Sequence, residues 1–405
     1  MKSEFRKEIN EISERVLSEI IADVRNDDGD IRSAIEERVF RLEGEYPYNH
    51  LVESIDRISG RIGGALGELS YLLDDETINE IMANGPTDIF IEKNGSIERV
   101  NDEFESVEAL EKVIRRIAAS VHREVSELDP ILDARLEDGS RVNAVMKNIA
   151  AGGPALTIRK FSKTRISMSE MLNAGCLSTE CMEDLRDLVR AGMNIFISGG
   201  TSSGKTTFLN ALAEYIPDTE RVITVEDSLE LQLINTENLV RLECRNANAV
   251  GRGGIDMKSL IKASLRMRPD RIIVGEVRGD EVADMLQALN TGHSGMSTGH
   301  SNSVSGMLSR LEAMYLSASD IPADSIRIQI SQAVDIMLHM SRGNGGKRRI
   351  TEIQELYGYE NGSFRLNPLY MLDENLELKR SGNRLVNDIK LRLRGIRNER
   401  LQGKN

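Results

Sequence analysis

The sequence predicts an α/β protein: a doubly wound, mostly parallel sheet with a phosphate-binding loop in its C-terminal half, preceded by a smaller α+β domain. Three observations predict it. Met193-Asn194-Ile195-Phe196-Ile197-Ser198 reads as a buried strand, and Lys205 opens a helix with Phe208, Leu209 and Leu212 at a period near 3.6. Between them lies Gly199-Gly200-Thr201-Ser202-Ser203-Gly204-Lys205-Thr206, which has the spacing G-x-x-x-x-G-K-[ST]. Two more apolar strand cores follow at 221–226 and 271–275, separated by helical or loop segments, the alternation that builds a parallel sheet. Upstream, strand and hairpin signals surround a single amphipathic helix.

In chain order, residues 1–45 read as charged amphipathic helix with a stripe of Phe5, Ile9, Ile12, Val16, Ile20 and Val24, broken at Asn26-Asp27-Asp28-Gly29-Asp30. This makes 1–50 a helical N-terminal appendage. The α+β domain is expected over 51–159. It holds a helix from Leu51 to Leu73, a hairpin turning at Asn94-Gly95, a helix carrying Leu110, Val113, Ile114 and Ile117, a second hairpin around Glu137-Asp138-Gly139-Ser140, and a strand Leu156-Thr157-Ile158-Arg159. In the second hairpin, a type I turn with Gly139 as bulge pairs Arg135 with Arg141 on one face, whereas a plain two-residue turn places them on opposite faces. The bulged turn is expected. A polar linker over 160–167 leads to the loop-bearing domain, 168–378, which closes with a hairpin around Gly343-Asn344-Gly345-Gly346.

A chain of 405 residues with a 40% apolar share has room for two or three such domains. No apolar run reaches the length of a membrane span, and Met1-Lys2-Ser3-Glu4-Phe5 lacks the apolar core of a signal peptide, so a cytoplasmic protein is expected. Cys176, Cys181 and Cys244 make no even disulfide framework. A net charge of −13 repels polyanions and an aromatic content of 4% provides few stacking surfaces, which counts against nucleic acid as a partner. The charge is uneven. From Lys379 to Lys404 nine basic residues face only Asp388 and Glu399, and Val386, Ile389, Leu393 and Ile396 recur at helical spacing. This basic tail, 379–405, is expected either as a solvated helix or as a peripheral contact with a partner or an anionic membrane surface, and its loss should leave the rest folded.

The loop carries the chemistry. Gly199, Gly200, Thr201, Ser202, Ser203, Gly204, Lys205, Thr206 and Thr207 are expected to hold a nucleotide: glycines let backbone N–H groups approach the phosphates, the helix N-terminus adds partial positive charge, Lys205 reaches the β- and γ-phosphates and Thr206 holds Mg²⁺. ATP hydrolysis also needs a carboxylate near the metal and the attacking water. Glu276, ending the strand Arg271-Ile272-Ile273-Val274-Gly275, is the first candidate, binding Mg²⁺ directly or through water. Glu226, ending Val222-Ile223-Thr224-Val225 beside Asp227 and near Glu230, is the second. His293 and His300 bound a small, polar, Gly-rich stretch that reads as surface rather than core, and a histidine there can hydrogen-bond a γ-phosphate or the catalytic carboxylate. His50, His122 and His339 have no such company and read as structural or solvated.

Together these segments resemble the Walker A, Asp box, Walker B and His box of the bacterial secretion ATPases. Glu80-Ile81-Met82-Ala83-Asn84-Gly85, Asp133 to Asn143, Leu156 to Phe161 and Leu265 to Gly279 are in addition similar to the CpaF-type pilus-assembly ATPases of tight-adherence (Flp) pili. The resemblance runs from about residue 64 to 370. It implies a homo-hexameric ring, an N-terminal domain hinged to a RecA-like ATPase domain with ATP held between them, and an inner-membrane platform protein as partner. It also implies that Arg135, Arg141 and Arg159 clamp nucleotide phosphates. Two departures stand out. The stretch from His293 to His300 is one residue shorter than the family's usual His box, which displaces one histidine. No paired C-x-x-C set follows, unlike the extension ATPases that carry a zinc-binding insert, and this favours the CpaF-type branch.

Overall fold

The computed structural model describes residues 8–9, 11–13, 15–17, 19–20, 31–63, 66–93, 96–161, 165–245, 253–343 and 346–403. Phe5, Val24, the break at 26–30, the Asn94-Gly95 turn, the centre of the linker at 162–164, Asn344-Gly345 and Lys404 lie outside them. Two compact units divide between Lys163 and Thr164.

The first unit has two cores. Ile12, Val16 and Ile20 are buried with Ile35 and Val39 of the helix Ile31–Phe40 and with Leu51, Ile55 and Ile58 of the helix Tyr48–Gly63. That second helix therefore belongs with the appendage, and a boundary at residue 50 falls inside it. The other core lies under an antiparallel sheet of order β3-β2-β1-β6-β5-β4. The strands are β1 (Ile78–Asn84), β2 (Ile89–Lys93), β3 (Ser96–Arg99), β4 (Ile131–Arg135), β5 (Arg141–Val145) and β6 (Ala155–Arg159). The helix Val107–Ser120, capped by Ser106 Oγ on the Ala109 N–H, buries Leu110, Val113, Ile114 and Ile117 in this core. At the β4–β5 turn Leu136 N–H donates to Ser140 O at 2.9 Å and Gly139 has φ +89°. This is the bulged turn, and it pairs Arg135 with Arg141.

The second unit carries a sheet of nine strands in the order β15-β14-β13-β12-β7-β11-β10-β8-β9. β7 (Ile195–Gly199), β8 (Val222–Glu226), β9 (Leu239–Glu243), β10 (Arg271–Val274), β11 (Ser294–His300) and β12 (Ile336–Arg342) run parallel. β13 (Arg348–Glu360), β14 (Ser363–Leu372) and β15 (Leu378–Arg380) continue the sheet antiparallel. Strand alternation feeds two cores: Ile195, Ile197, Ile336 and Leu338 enter one, while Phe196 and Met337 enter the other. A sheet covered on both faces explains why β7 and β8 are apolar almost throughout.

Two expectations are corrected here. The Gly-rich stretch bounded by His293 and His300 is not surface. It is β11, paired on both sides, and Gly295 through Gly299 are buried. Its small residues mark crowding: a Cβ on Gly295 would lie 2.6 Å from Leu289 Cδ2, and one on Gly299 would lie 2.9 Å from Met307 Cε.

The basic tail is the second. Gly395, at φ +67°, separates two short helices, Ile389–Leu393 and Glu399–Gln402, so no single helix spans the expected stripe. Val386 and Leu393 face solvent at 62% and 78% exposure, while Leu385, Leu391 and Leu401 enter the core that holds β7 and β12. Part of the basic charge is paired inside the unit. Arg400 Nε donates to the buried Asp184 at 2.8 Å, Lys390 pairs with Asp335 at 2.6 Å and Arg394 with Glu220 at 3.2 Å. Asp184 also accepts from Tyr370 Oη at 2.6 Å and Asn398 Nδ2 at 2.9 Å.

Candidate functional site

The strand ends place the chemistry. β7, β10 and β11 are parallel neighbours, so their C-terminal ends open on one edge of the sheet, and β7 runs directly into the loop and the helix Lys205–Ala213. His300 pairs with Gly199 in the β11–β7 register, which sets the last residue of β11 against the first of the loop. Gly275 lies one residue beyond β10, its N–H bonded to Val225 O at 2.9 Å and its carbonyl to Thr298 Oγ1 at 2.8 Å, and Glu276 follows it.

Lys205, Glu276 and His300 meet at this edge. Glu276 Oε1 lies 2.8 Å from His300 Nε2 and 3.8 Å from Lys205 Nζ. Lys205 Nζ also donates to Gly200 O at 3.1 Å and lies 3.4 Å from His300 Nδ1. One tautomer satisfies both contacts: a neutral imidazole that donates from Nε2 to the carboxylate and accepts at Nδ1 from the ammonium. Arg278, two residues after Glu276, grips the other carboxylate oxygen, Nε at 2.7 Å and Nη2 at 2.5 Å from Oε2. Lys205 is only 6% exposed, and among the described residues the carboxylate that pairs with it, Glu276, lies near the outer limit of an ion pair. A cation held this loosely is suited to take phosphate oxygens.

Burial sets the charge states. It lowers the pKa of Lys205 against the opposing pull of Glu276. It also lowers that of His300, helped by the neighbouring Lys205 and Arg278, although Glu276 acts the other way. His300 is therefore neutral at pH 7, as the tautomer requires. The site needs the neutral imidazole, and because its pKa in the folded enzyme lies below the ordinary 6.5, His300 takes up a proton only on the acid side of that value. The expected kcat/KM for ATP turnover is flat above pH ~6.5 and declines on the acid side. His300→Gln should be slower and should lose that acid limb. A pH–rate profile of both proteins checks this, and an unchanged limb in the variant would assign the titration elsewhere.

Glu226 is placed differently from expectation. It is 2% exposed, and its Oε2 accepts the backbone N–H groups of Glu230 and Leu231 at 2.7 and 2.8 Å. Burial raises its pKa against these bonds. Its carboxylate thus ties down the turn after β8 rather than joining Glu276, and what that turn presents is Glu230, which lies within electrostatic reach of Lys205. His293 is at the opposite end of β11 from His300, with Nδ1 3.2 Å from Ala288 O. The short His box contributes one histidine to the site, not two.

The donor set fits Mg²⁺. Among the described residues no group of three or more His, Cys, Asp or Glu could hold a metal by itself. Mg²⁺ needs no such cage, because it keeps several waters and binds through one or two protein oxygens together with phosphates. The Thr206 hydroxyl, in the first turn after the loop, and the Glu276 carboxylate are a set of that kind.

In the first unit, the register aligns Arg135 with Arg141 and Arg141 with Arg159, and Arg159 with Glu80. Three guanidiniums thus occupy one row across β4, β5 and β6, on one face. Arg135 Nε donates to Gly139 O at 3.3 Å.

The chain is similar to known proteins over most of its length. The family described as "Type II/IV secretion system protein" matches residues 65–357. The conjugal transfer protein TrbB of Rhizobium radiobacter is 34% identical over 331 residues, covering 80% of this chain and 98% of that protein. The type IV secretion system protein PtlH of Bordetella pertussis is 32% identical over 308 residues, 69% of this chain and 91% of that one. Among solved structures, the pilus retraction motor PilT with bound ADP is 20% identical with a TM-score of 0.52, covering 74% of this chain and 84% of that one, a likeness of fold. The chain belongs to the type II/IV secretion system family, and its fold is a RecA-like ATPase domain preceded by an N-terminal domain.

Proposed function

We propose that this secretion-family member hydrolyses ATP with Mg²⁺ and turns the energy into motion of its two units, powering pilus assembly or a related secretion machine. The observation that carries the reading is the meeting of Lys205, Glu276 and His300 at the phosphate-binding loop. Lys205 and the loop N–H groups bind the phosphates. Thr206 and Glu276 would hold Mg²⁺, which would supply neutralisation of phosphate charge. Glu276 orients the attacking water, and neutral His300 holds the Glu276 carboxylate through Nε2–H. Arg278 has to release Oε2 before that oxygen can serve water or metal. Glu226 acts through the turn carrying Glu230.

Arg135, Arg141 and Arg159 add charge to the phosphates, so loss of the γ-phosphate removes charge-assisted hydrogen bonds and changes the relation of the units. The working form is a homo-hexamer at the inner face of the cell membrane, engaged with a platform protein. No helix among the described residues is long and apolar enough to cross a membrane. For residues 379–405 the peripheral-contact reading is weakened by the pairing of three of the tail's nine basic residues, Arg400, Lys390 and Arg394, with Asp184, Asp335 and Glu220.

Lys205→Ala should abolish measurable ATP binding. Arg135→Ala should slow turnover while leaving the nucleotide-free melting temperature unchanged, because a half-buried arginine at a turn supports little core. Nucleotide titration, a phosphate-release assay and a thermal melt decide between them. Full ATP affinity in Lys205→Ala would remove the nucleotide site from this loop, and a lower melt with unchanged turnover would make Arg135 structural.

A second reading is a conjugation-type machine, favoured by the names of relatives such as TrbB. If the chain itself gripped DNA, filter binding at low salt would detect it. The net charge of −13 leads us to expect none.

A further inference from the structure

We propose that Arg348 is a positioning residue for nucleotide binding: a strap from the start of β13 that holds the phosphate-binding loop in its binding conformation. This rests on the reading of the loop as a nucleotide site. Arg348 Nε donates to Ser202 O at 3.1 Å, on a residue in the middle of the loop. Ser202 has φ +56°, a left-handed conformation that a non-glycine residue adopts at a cost, so the loop needs an outside contact to stay there. The next loop position but one, Gly204, has φ +93°, and a Cβ built on it would stand 2.9 Å from Arg348 Cδ. The arginine stem thus packs against the left-handed glycine immediately before Lys205, while its head holds the left-handed serine.

The strap has a fixed anchor. The Arg348 carbonyl accepts from Cys176 Sγ at 3.0 Å, Ile350 N–H donates to Cys176 O at 3.1 Å, and Arg348 pairs with Arg342 across the β12–β13 hairpin. Since Met340, two residues before Arg342, pairs with Gly199, the hairpin is registered to the first residue of the loop. Arg348 thus connects a rigid sheet element to the part of the loop whose N–H groups must converge on phosphate. A charge-assisted bond to a backbone carbonyl is suited to this, because it fixes the peptide while leaving the N–H groups to the ligand.

The test uses the full-length protein and ADP, which engages the loop through its β-phosphate, titrated into wild type, Arg348→Met, Arg348→Ala and Arg348→Lys. Met keeps the stem over Gly204 and removes the donor; Ala removes both; Lys restores a charged donor. The expected result is an ADP Kd about tenfold weaker for Met, weaker again for Ala and partly recovered for Lys, with nucleotide-free melting temperatures of Met and Lys unchanged. If Ala does not fold, Met against Lys decides. Equal ADP affinity in wild type and Arg348→Met overturns the strap, as does a melting-temperature loss that accounts for weaker binding and is not rescued by Lys. Wild type that binds no ADP would overturn the nucleotide site itself, a distinct result.

Discussion

Glu276→Gln should bind ATP as tightly as the wild type and lose turnover by about 10²- to 10⁴-fold, the range for removing one positioned acid–base group. The amide keeps the shape and still accepts one hydrogen bond from His300 Nε2, 2.8 Å away, so the loop and Lys205 keep their places. What disappears is the negative charge that polarises water and faces the metal. The same substitution removes the counter-charge of Lys205, which strengthens that ammonium's pull on phosphate and protects affinity. Equilibrium binding and phosphate release on the same preparation give both numbers. A variant that turns over at the wild-type rate would move the catalytic carboxylate elsewhere, Glu230 being next in electrostatic reach of Lys205.

Deleting residues 379–405 should destabilise the second unit severely. Leu385, Leu391 and Leu401 are buried there, and each contributes about 2 kcal/mol on an area basis. The sum, roughly 6 kcal/mol, is comparable with the whole stability of a typical domain. The deletion also strips Asp184, 1% exposed, of Arg400 and Asn398, leaving Tyr370 as its remaining side-chain donor. Insoluble protein, or a thermal transition lower by ten degrees or more, is the expected outcome, since each kcal/mol shifts the melt by about 2–4 °C in a unit this size. A truncated protein that melts like the full chain would restore the detached-tail picture.

The parts of this protein legible in its sequence are those specified locally. The loop is a contiguous motif, and Glu276 follows from one apolar strand ending in an acid. The Arg135–Arg141 pairing follows from the turn chemistry of Asp138-Gly139, because a bulge decides which residues oppose each other. The misreadings share a cause: each depends on partners distant in the chain. Gly295 and Gly299 look like loop residues until Leu289 and Met307 are packed against them. The basic run after Lys379 looks unattached because Asp184, Glu220 and Asp335 lie far upstream. Glu226 ends a strand like Glu276, yet the turn after it bends back to donate Glu230 and Leu231 N–H groups to it. Arg278 sat in view within Val274-Gly275-Glu276-Val277-Arg278-Gly279, where spacing by two from Glu276 was the available signal. Arg348 offered none, since closing the β12–β13 hairpin is what brings it to Ser202.

The most direct test of the central claim is steady-state phosphate release from ATP by the purified chain, with Mg²⁺ and with the metal chelated, alongside Lys205→Ala as background. The expected result is saturable release with Mg²⁺ that falls to the Lys205→Ala level on chelation. Release no faster than that background, in a preparation that binds ATP, would contradict hydrolysis and leave a nucleotide-dependent scaffold.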